Sequence, residues 1–365
     1  MANRIKRVGV LTAGGDCPGL NAVIRAVTKS LIGKHHMEVV GVKDGFQGLI
    51  ERNAQMLSAN DVSGILTQGG TILGTNNKSN PFKYRVEKNG EAVIEDRSDD
   101  VLDNAQKMGI EALVTIGGDG TQWIALGLAK KGMRVVGVPK TIDNDLRETD
   151  LTFGHDTAVQ IATEAIDRIH TTAMSHHRVM VVETMGRNAG WIALNAGIAG
   201  GGDIILVPEI PYTIGSICKK IENRVANGRL FSIVVVAEGA KAVGGEQVVK
   251  ERVADPSMPI RLGGVGQKVA DEIEEATGIE TRVTVLGHLQ RGGTPTALDR
   301  ILATRFGAVA AHLVTEGVSG RMVAIKGNHI VSVPLEAAVA GPKLIDPESS
   351  LVKAAREVGA SFGDE

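Results

Sequence analysis

One local arrangement recurs along this chain and constrains its fold more than any other feature. A short β-branched apolar run is followed by a glycine-rich break and then by helical periodicity. The apolar runs fall at residues 7–12, 112–116, 135–138, 179–183, 204–207 and 232–237. Helical spacing fits residues 20–32, 122–131, 157–172, 217–227, 267–276 and 301–315. The runs lack in/out alternation, so they suit parallel strands covered by helices on both faces. The expected class is α/β, built as doubly wound, Rossmann-like three-layer units with ligands at the carboxyl ends of the strands. The 365 residues suffice for two such units.

A hinge is expected at residues 140–145, where strand-like sequence yields to a polar loop. One unit then comprises residues 1–140 with about 255–305, and the other 141–254 with about 306–330. The polar stretch 241–262 carries the chain back to the first unit, and residues 342–365 form a surface helix and tail.

Composition narrows the function. The 46 glycines suit tight strand–loop–helix turns, while aromatics at 3% argue against stacking platforms for single-stranded nucleic acid. A net charge of −2 gives no overall basic field for nucleic acid or anionic membrane. An anionic substrate must therefore be held by local clusters. The two cysteines, Cys17 and Cys218, make neither a disulfide framework nor a metal site, which points to a reducing compartment. The basic, apolar start reads as a first strand, not a secretory signal, and the apolar stretch between Arg187 and Asp203 is too short to span a bilayer. A soluble, cytoplasmic protein is expected.

Three loops carry chemistry. The first, GGDCPGLN from Gly14 to Asn21, lies between a strand and a helix, where backbone N–H groups approach phosphate. A close-packed turn is the plainer reading. The second, IGGDGTQ, holds Asp119 in a glycine loop, where a carboxylate can hold magnesium while amides hold phosphate. GGDGT also occurs in NAD kinases and lipid kinases, so it indicates a phosphoryl donor without naming the acceptor. The third, PKTIDND from Pro139 to Asp145, sets two carboxylates two residues apart, an arrangement that calls for a cation or a proton to move.

These loops, in this order, resemble those of ATP- and pyrophosphate-dependent 6-phosphofructokinases, nearest to the mixed-substrate bacterial group. The resemblance continues through SHHRV, ETMGRNAG, PEIP, AEG, ETRVTVLGHLQRGG and DRILATRFG, and covers residues 5–325. It implies the phosphofructokinase fold and magnesium-dependent transfer of a phosphoryl group to the 1-hydroxyl of fructose 6-phosphate. By this resemblance the 1–140 unit binds the donor and the 141–254 unit the sugar. Gly14, Lys78, Gly118, Gly120, Thr121 and Lys140 would line the donor site, with Asp119 on the metal. Asp143 would be the general base, with Thr141, Asp145 and Arg187 supporting the transferred group. Met185, Gly186, Arg187 and Glu238 would hold the sugar, and His288 and Arg291 its 6-phosphate. Arg178 and Arg282 would reach the sugar site of a neighbouring subunit, which implies a homodimer or homotetramer with shared sites.

Two departures from the family pattern matter. Lys78 stands nearest to an arginine common in ATP-using relatives, and it keeps the charge without the fork. The effector site of regulated bacterial enzymes survives in part, with Arg25 matching, Lys29 softened and His170 where arginine is common. For the donor, Gly120 favours ATP, because the aspartate common there in pyrophosphate users would repel a nucleotide. Lys140 points toward pyrophosphate. Cys17 is expected to be structural, and Trp123 and Trp191 to lie in a core or interface. An NAD or lipid kinase, or a non-catalytic sugar-phosphate sensor, are the competing readings.

Overall fold

The computed structural model describes residues 5–88, 90–252 and 260–365. They divide into two compact units, each traversed more than once. The first holds the described residues up to Thr141, then Leu146–Gly154 and Arg291–Pro342. The second holds Ile142–Asp145, the described residues of His155–Gln290, and Lys343–Glu365.

In chain order the strands are β1 (Arg7–Thr12), β2 (Glu38–Val42), β3 (Ala54–Leu57), β4 (Tyr84–Lys88), β5 (Glu91–Glu95), β6 (Ala112–Gly117) and β7 (Val135–Pro139). They continue with β8 (Val179–Thr184), β9 (Ile204–Leu206), β10 (Ser232–Ala237), β11 (Val249–Arg252), β12 (Ile260–Leu262), β13 (Thr281–Val285), β14 (Arg321–Lys326) and β15 (His329–Pro334). The helices begin with α1 (Leu20–His35), α2 (Phe46–Glu51), α3 (Ser98–Lys107), α4 (Asp119–Lys130), α5 (His155–His176) and α6 (Trp191–Ala199). After these come α7 (Ile214–Ala226), α8 (Val265–Thr277), α9 (Ala297–Thr315), α10 (Leu335–Ala338) and α11 (Ser350–Glu357).

The first unit is built on a sheet of order β15-β14-β7-β6-β1-β2-β3. Its interior strands are parallel, and antiparallel β3 and β15 close the edges. Phe46, Leu49, Val101, Ala105, Ile124 and Leu128 bring α2, α3 and α4 onto one face. Helices α1 and α9 pack on each other and cover the other face, giving three layers. The second unit has the all-parallel order β13-β8-β10-β9. Val234 and Val236 of β10 face α7 and α8, while α5 and α6 lie against the opposite side. This double coverage explains why SIVVVA is apolar without alternation.

Strands β1 and β10 have the expected bounds, and the six expected helices form with modest extensions. Local chemistry sets several starts: Thr213, Thr296 and Ser349 each cap the N–H three residues on. Three sequence expectations need correction. The chain returns to the first unit at Arg291, and α8 with β13 stays in the second, because β13 pairs along β8. Residues 306–330 belong to the first unit, because α9 covers its sheet and β14 pairs with β7. The expected return near residue 255 falls outside the described residues. The stretch from 343 onward is not a surface tail. Ile345, Val352, Ala355 and Phe362 are buried, and Ser361 pairs with Ile204 beside β9. Among the described residues no helix is long and apolar enough to cross a membrane.

Candidate active site

In the first unit the loops after β1, β6 and β7 lie at the carboxyl ends of adjacent parallel strands. Gly14 sits in the left-handed region at φ 79°, with Lys140 Nζ and Thr121 Oγ1 each 3.6 Å from where a Cβ would stand. Those are ordinary contact distances, so it is the left-handed backbone, which a side chain rarely adopts, that calls for glycine here. Thr75 Oγ1 donates to Gly14 O at 2.6 Å, and Gly14 N donates to Asn76 O at 3.2 Å. These bonds bring the Lys78 loop to the first cradle, and Lys78 itself is exposed. Lys140 is buried and its Nζ donates to Gly15 O.

The second cradle is held within its own neighbourhood. Buried Gln122 donates from Nε2 to Gly117 O and Val138 O, both at 2.9 Å, and joins the ends of β6 and β7. Gly118 precedes α4, and Asp119 occupies its first position, exposed and without an ion pair among the described residues. A Cβ on Gly120 would meet nothing within 4 Å, so the fold itself does not require glycine there. Arg291 also falls in this unit. Its Nη1 donates to Asp16 O at 2.9 Å, against the backbone of Gly15.

In the second unit Met185, Gly186 and Arg187 follow β8, and Glu238 follows β10. Pairing of Ala237 with Thr184, extended by Glu238 N donating to Thr184 O at 2.9 Å, sets the two loops side by side. Gly186 has φ 127°, and a Cβ on Gly239 would come within 2.2 Å of Arg187 O. Gln247 Nε2 bridges them, donating to Gly239 O at 3.1 Å and Arg187 O at 3.3 Å. His288 follows β13 at the same end, where Leu286 N donates to Glu183 O at 3.0 Å. The Glu183 carboxylate accepts from Gly264 N and Gly266 N at the start of α8.

Arg178 and Arg282 lie elsewhere. Arg178 precedes β8 and donates from Nε to Glu280 at 2.6 Å, and Arg282 of β13 donates to the same carboxylate. The six residues of β8, about 20 Å of extended chain, separate Arg178 from the Met185 loop. The structure therefore brings these arginines to each other and not to the loops of Met185 and Glu238 in their own chain.

The loop bearing Asp143 and Asp145 is held by residues remote in sequence. His155 is buried, and its Nδ1 lies 2.6 Å from Ile142 O. Asn195 Nδ2 lies 3.0 Å from the other ring nitrogen. Donation from Nδ1 to the carbonyl leaves Nε2 to accept from Asn195, which is the neutral tautomer. Burial pushes the His155 pKa down to about 4, with the Lys343 charge adding to the effect. At the other end of the loop, Lys343 N donates to Asp145 O at 2.7 Å. Asn144, between the carboxylates, is left-handed at φ 51°. Burial raises the Glu209 carboxyl, whose oxygens accept from Gly190 N and Ile345 N near 3 Å.

Sequence patterns left Gln122, Gln247, His155, Asn195 and Lys343 unmarked. Cys17 is fully buried, and burial pushes its thiol up to about 12, so it is a packing residue beside the cradle. Trp123 is 46% exposed with its ring edge-on to Phe82, whereas Trp191 is half-buried at the start of α6.

Glycine cradles and carboxylates at the carboxyl ends of parallel strands define an α/β protein built to handle phosphate. A family model described as phosphofructokinase matches residues 7–314, and the chain belongs to that family. Over its full length and that of its relative, it is 53% identical to an ATP-dependent 6-phosphofructokinase 2 of Clostridium perfringens. It is 52% identical to a pyrophosphate–fructose 6-phosphate 1-phosphotransferase of Amycolatopsis methanolica, across 94% of this chain and 97% of that one. A solved phosphofructokinase of Saccharomyces cerevisiae superposes with TM-score 0.76 at 33% identity, covering 92% of this chain and 45% of the yeast chain.

Proposed function

We propose that this protein is a 6-phosphofructokinase that transfers the γ-phosphoryl group of ATP to the 1-hydroxyl of fructose 6-phosphate. The observation that carries the reading is full-length identity to an ATP-dependent enzyme combined with open space at Gly120, where the fold does not demand glycine. The first unit takes the donor. Gly14 and the Gly118–Thr121 loop offer backbone N–H groups, and Lys140 and Lys78 offer charge to the phosphates. The second unit takes the sugar through Met185, Gly186, Arg187 and Glu238, with His288 toward the 6-phosphate.

Asp143 accepts the proton of the 1-hydroxyl as its oxygen bonds to the γ-phosphorus. The bond to the β–γ bridging oxygen breaks, and ADP leaves. Thr141, Asp145 and Arg187 orient and neutralise the transferred group, because this chemistry depends on positioning and charge more than on covalent steps. Asp119 suits magnesium. It is an exposed carboxylate at the first position of α4, beside the cradle. Asp119 would hold magnesium, which would neutralise the charge of the donor phosphates. The proposal includes a cytoplasmic homo-oligomer in which Arg178 and Arg282 serve a neighbouring subunit's sugar site.

Pyrophosphate is the second donor to consider, favoured by Lys140 beside Gly14 and Gly15 and by the Amycolatopsis relative's name. A coupled assay with saturating fructose 6-phosphate and magnesium, comparing kcat/KM for ATP and pyrophosphate, decides between them. NAD and acceptor-free controls test the other kinase and sensor readings. Preference for pyrophosphate would overturn the donor and leave the sugar chemistry standing.

A further inference from the structure

We propose that Lys343 is a positioning residue for the Asp143 base, resting on the role given to Asp143 above. It latches the end of the loop through a segment beyond residue 314, where the family match stops. Three hydrogen bonds and one cation–π contact converge on this one residue. Its backbone N–H donates to Asp145 O at 2.7 Å, and its Nζ donates to Asn144 Oδ1 at 3.0 Å. Its own carbonyl accepts from Trp191 Nε1 at 2.8 Å, while Nζ stands 5.6 Å from the Trp191 ring centroid.

The latch has a physical purpose. Asn144 is buried at φ 51°, in the left-handed region that asparagine enters more readily than most residues, so the shape of the loop depends on what holds it there. Lys343 binds both that residue's side chain and the next residue's carbonyl. The half-buried indole is fixed at the start of α6, so the lysine is anchored to a regular element rather than to another loop. A base must sit within hydrogen-bond reach of the proton it removes, and a displacement of about 1 Å can cost a hundredfold. The Ile142 end is already secured by His155. Lys343 supplies the second point, so that Asp143 lies on a span held at both ends.

The test uses the full-length protein and two variants. Lys343→Ala keeps the backbone N–H but removes the ammonium, and is expected to lower kcat about tenfold with KM for fructose 6-phosphate within about twofold. Lys343→Arg retains a cation over the indole and a donor for Asn144, and is expected to recover most of the loss. Amide exchange across residues 142–146 should accelerate about tenfold in Lys343→Ala, remain near wild type in Lys343→Arg, and be unchanged in β6 of both. Unaltered exchange over 142–146 would overturn the latch. A fall in activity that arginine does not restore, or that resides in KM, would overturn the positioning role. If the wild type transfers phosphoryl from neither ATP nor pyrophosphate, the proposed function fails instead, and the exchange measurement alone decides the latch.

Discussion

The loop after β6 and the loop after β7 each present a carboxylate, yet they are built in different ways. Gly117 to Thr121 is organised by its neighbours: Gln122 N bonds Gly118 O, Gln122 Nε2 bonds Gly117 O, and Lys140 N bonds Gly117 O. Every partner lies in the motif or in the adjacent strand end. Residues 142–145 are held instead by His155 from the start of α5, whose ring is bonded in turn by Asn195 of α6, and by Lys343, 199 positions beyond Asn144. A loop for backbone N–H groups needs a shape, which glycines and a helix start can supply locally. A loop that aims a proton acceptor needs a fixed direction, and that requires side chains from outside it.

The comparison breaks most readily at Asp143. Asp143→Asn preserves the shape of the loop and removes the proton acceptor, so kcat is expected to fall about 10²-fold or more with little change in sugar binding. Near-normal turnover would remove Asp143 from the mechanism and reduce the distant scaffold to a structural feature.

His155 tests the scaffold through pH. Its folded pKa is about 4 against 6.5 for the ordinary side chain. Between those values the unfolded chain binds a proton that the folded chain refuses. Stability therefore falls as pH drops from 6.5 toward 4 and is insensitive to this group above that range. The contribution lost by pH 5 is about 2 kcal/mol. His155→Phe should flatten this part of the pH–stability curve, measured by denaturant unfolding, while lowering stability at pH 7 because Ile142 O loses its donor. An unchanged slope would mean that His155 is not the residue that refuses the proton.

Gly120 probes the local loop. Gly120→Asp should fold normally, since a Cβ there meets nothing, but it should reduce kcat/KM for ATP about tenfold or more by setting a second carboxylate near the nucleotide. Any pyrophosphate use should change much less. Equal loss with both donors would show that the site does not discriminate at this position.

The smallest effect concerns assembly. Arg178→Ala should raise KM for fructose 6-phosphate about fivefold, as expected when a charged contact to phosphate is lost. Mixing it with Asp143→Asn protein should regenerate activity after subunit exchange. Activity no greater than the sum of the parents, with exchange demonstrated, would mean that each chain completes its own site. That result would be at odds with the placement of Arg178 and Arg282 on Glu280, a strand's length from the Met185 loop.

By itself the sequence determined the α/β class, the strand–loop–helix periods and the three loops, because each depends on residues adjacent in the chain. Glycine at Gly14, the apolar run in β10 and the start of α4 at Asp119 are local decisions of backbone conformation and burial. Family membership was legible for the same reason, since its motifs are contiguous. The tertiary structure decided where the chain crosses between units, because pairing of β13 with β8 and of β14 with β7 depends on strands far apart in sequence. It also decided that residues 343–365 join the second unit, as Phe362 is buried and Ser361 pairs beside β9. The supports of the Asp143 loop belong to the same class. His155 and Lys343 carry no local signature, since a hydrogen bond to a distant carbonyl is specified only once the fold has brought the two together.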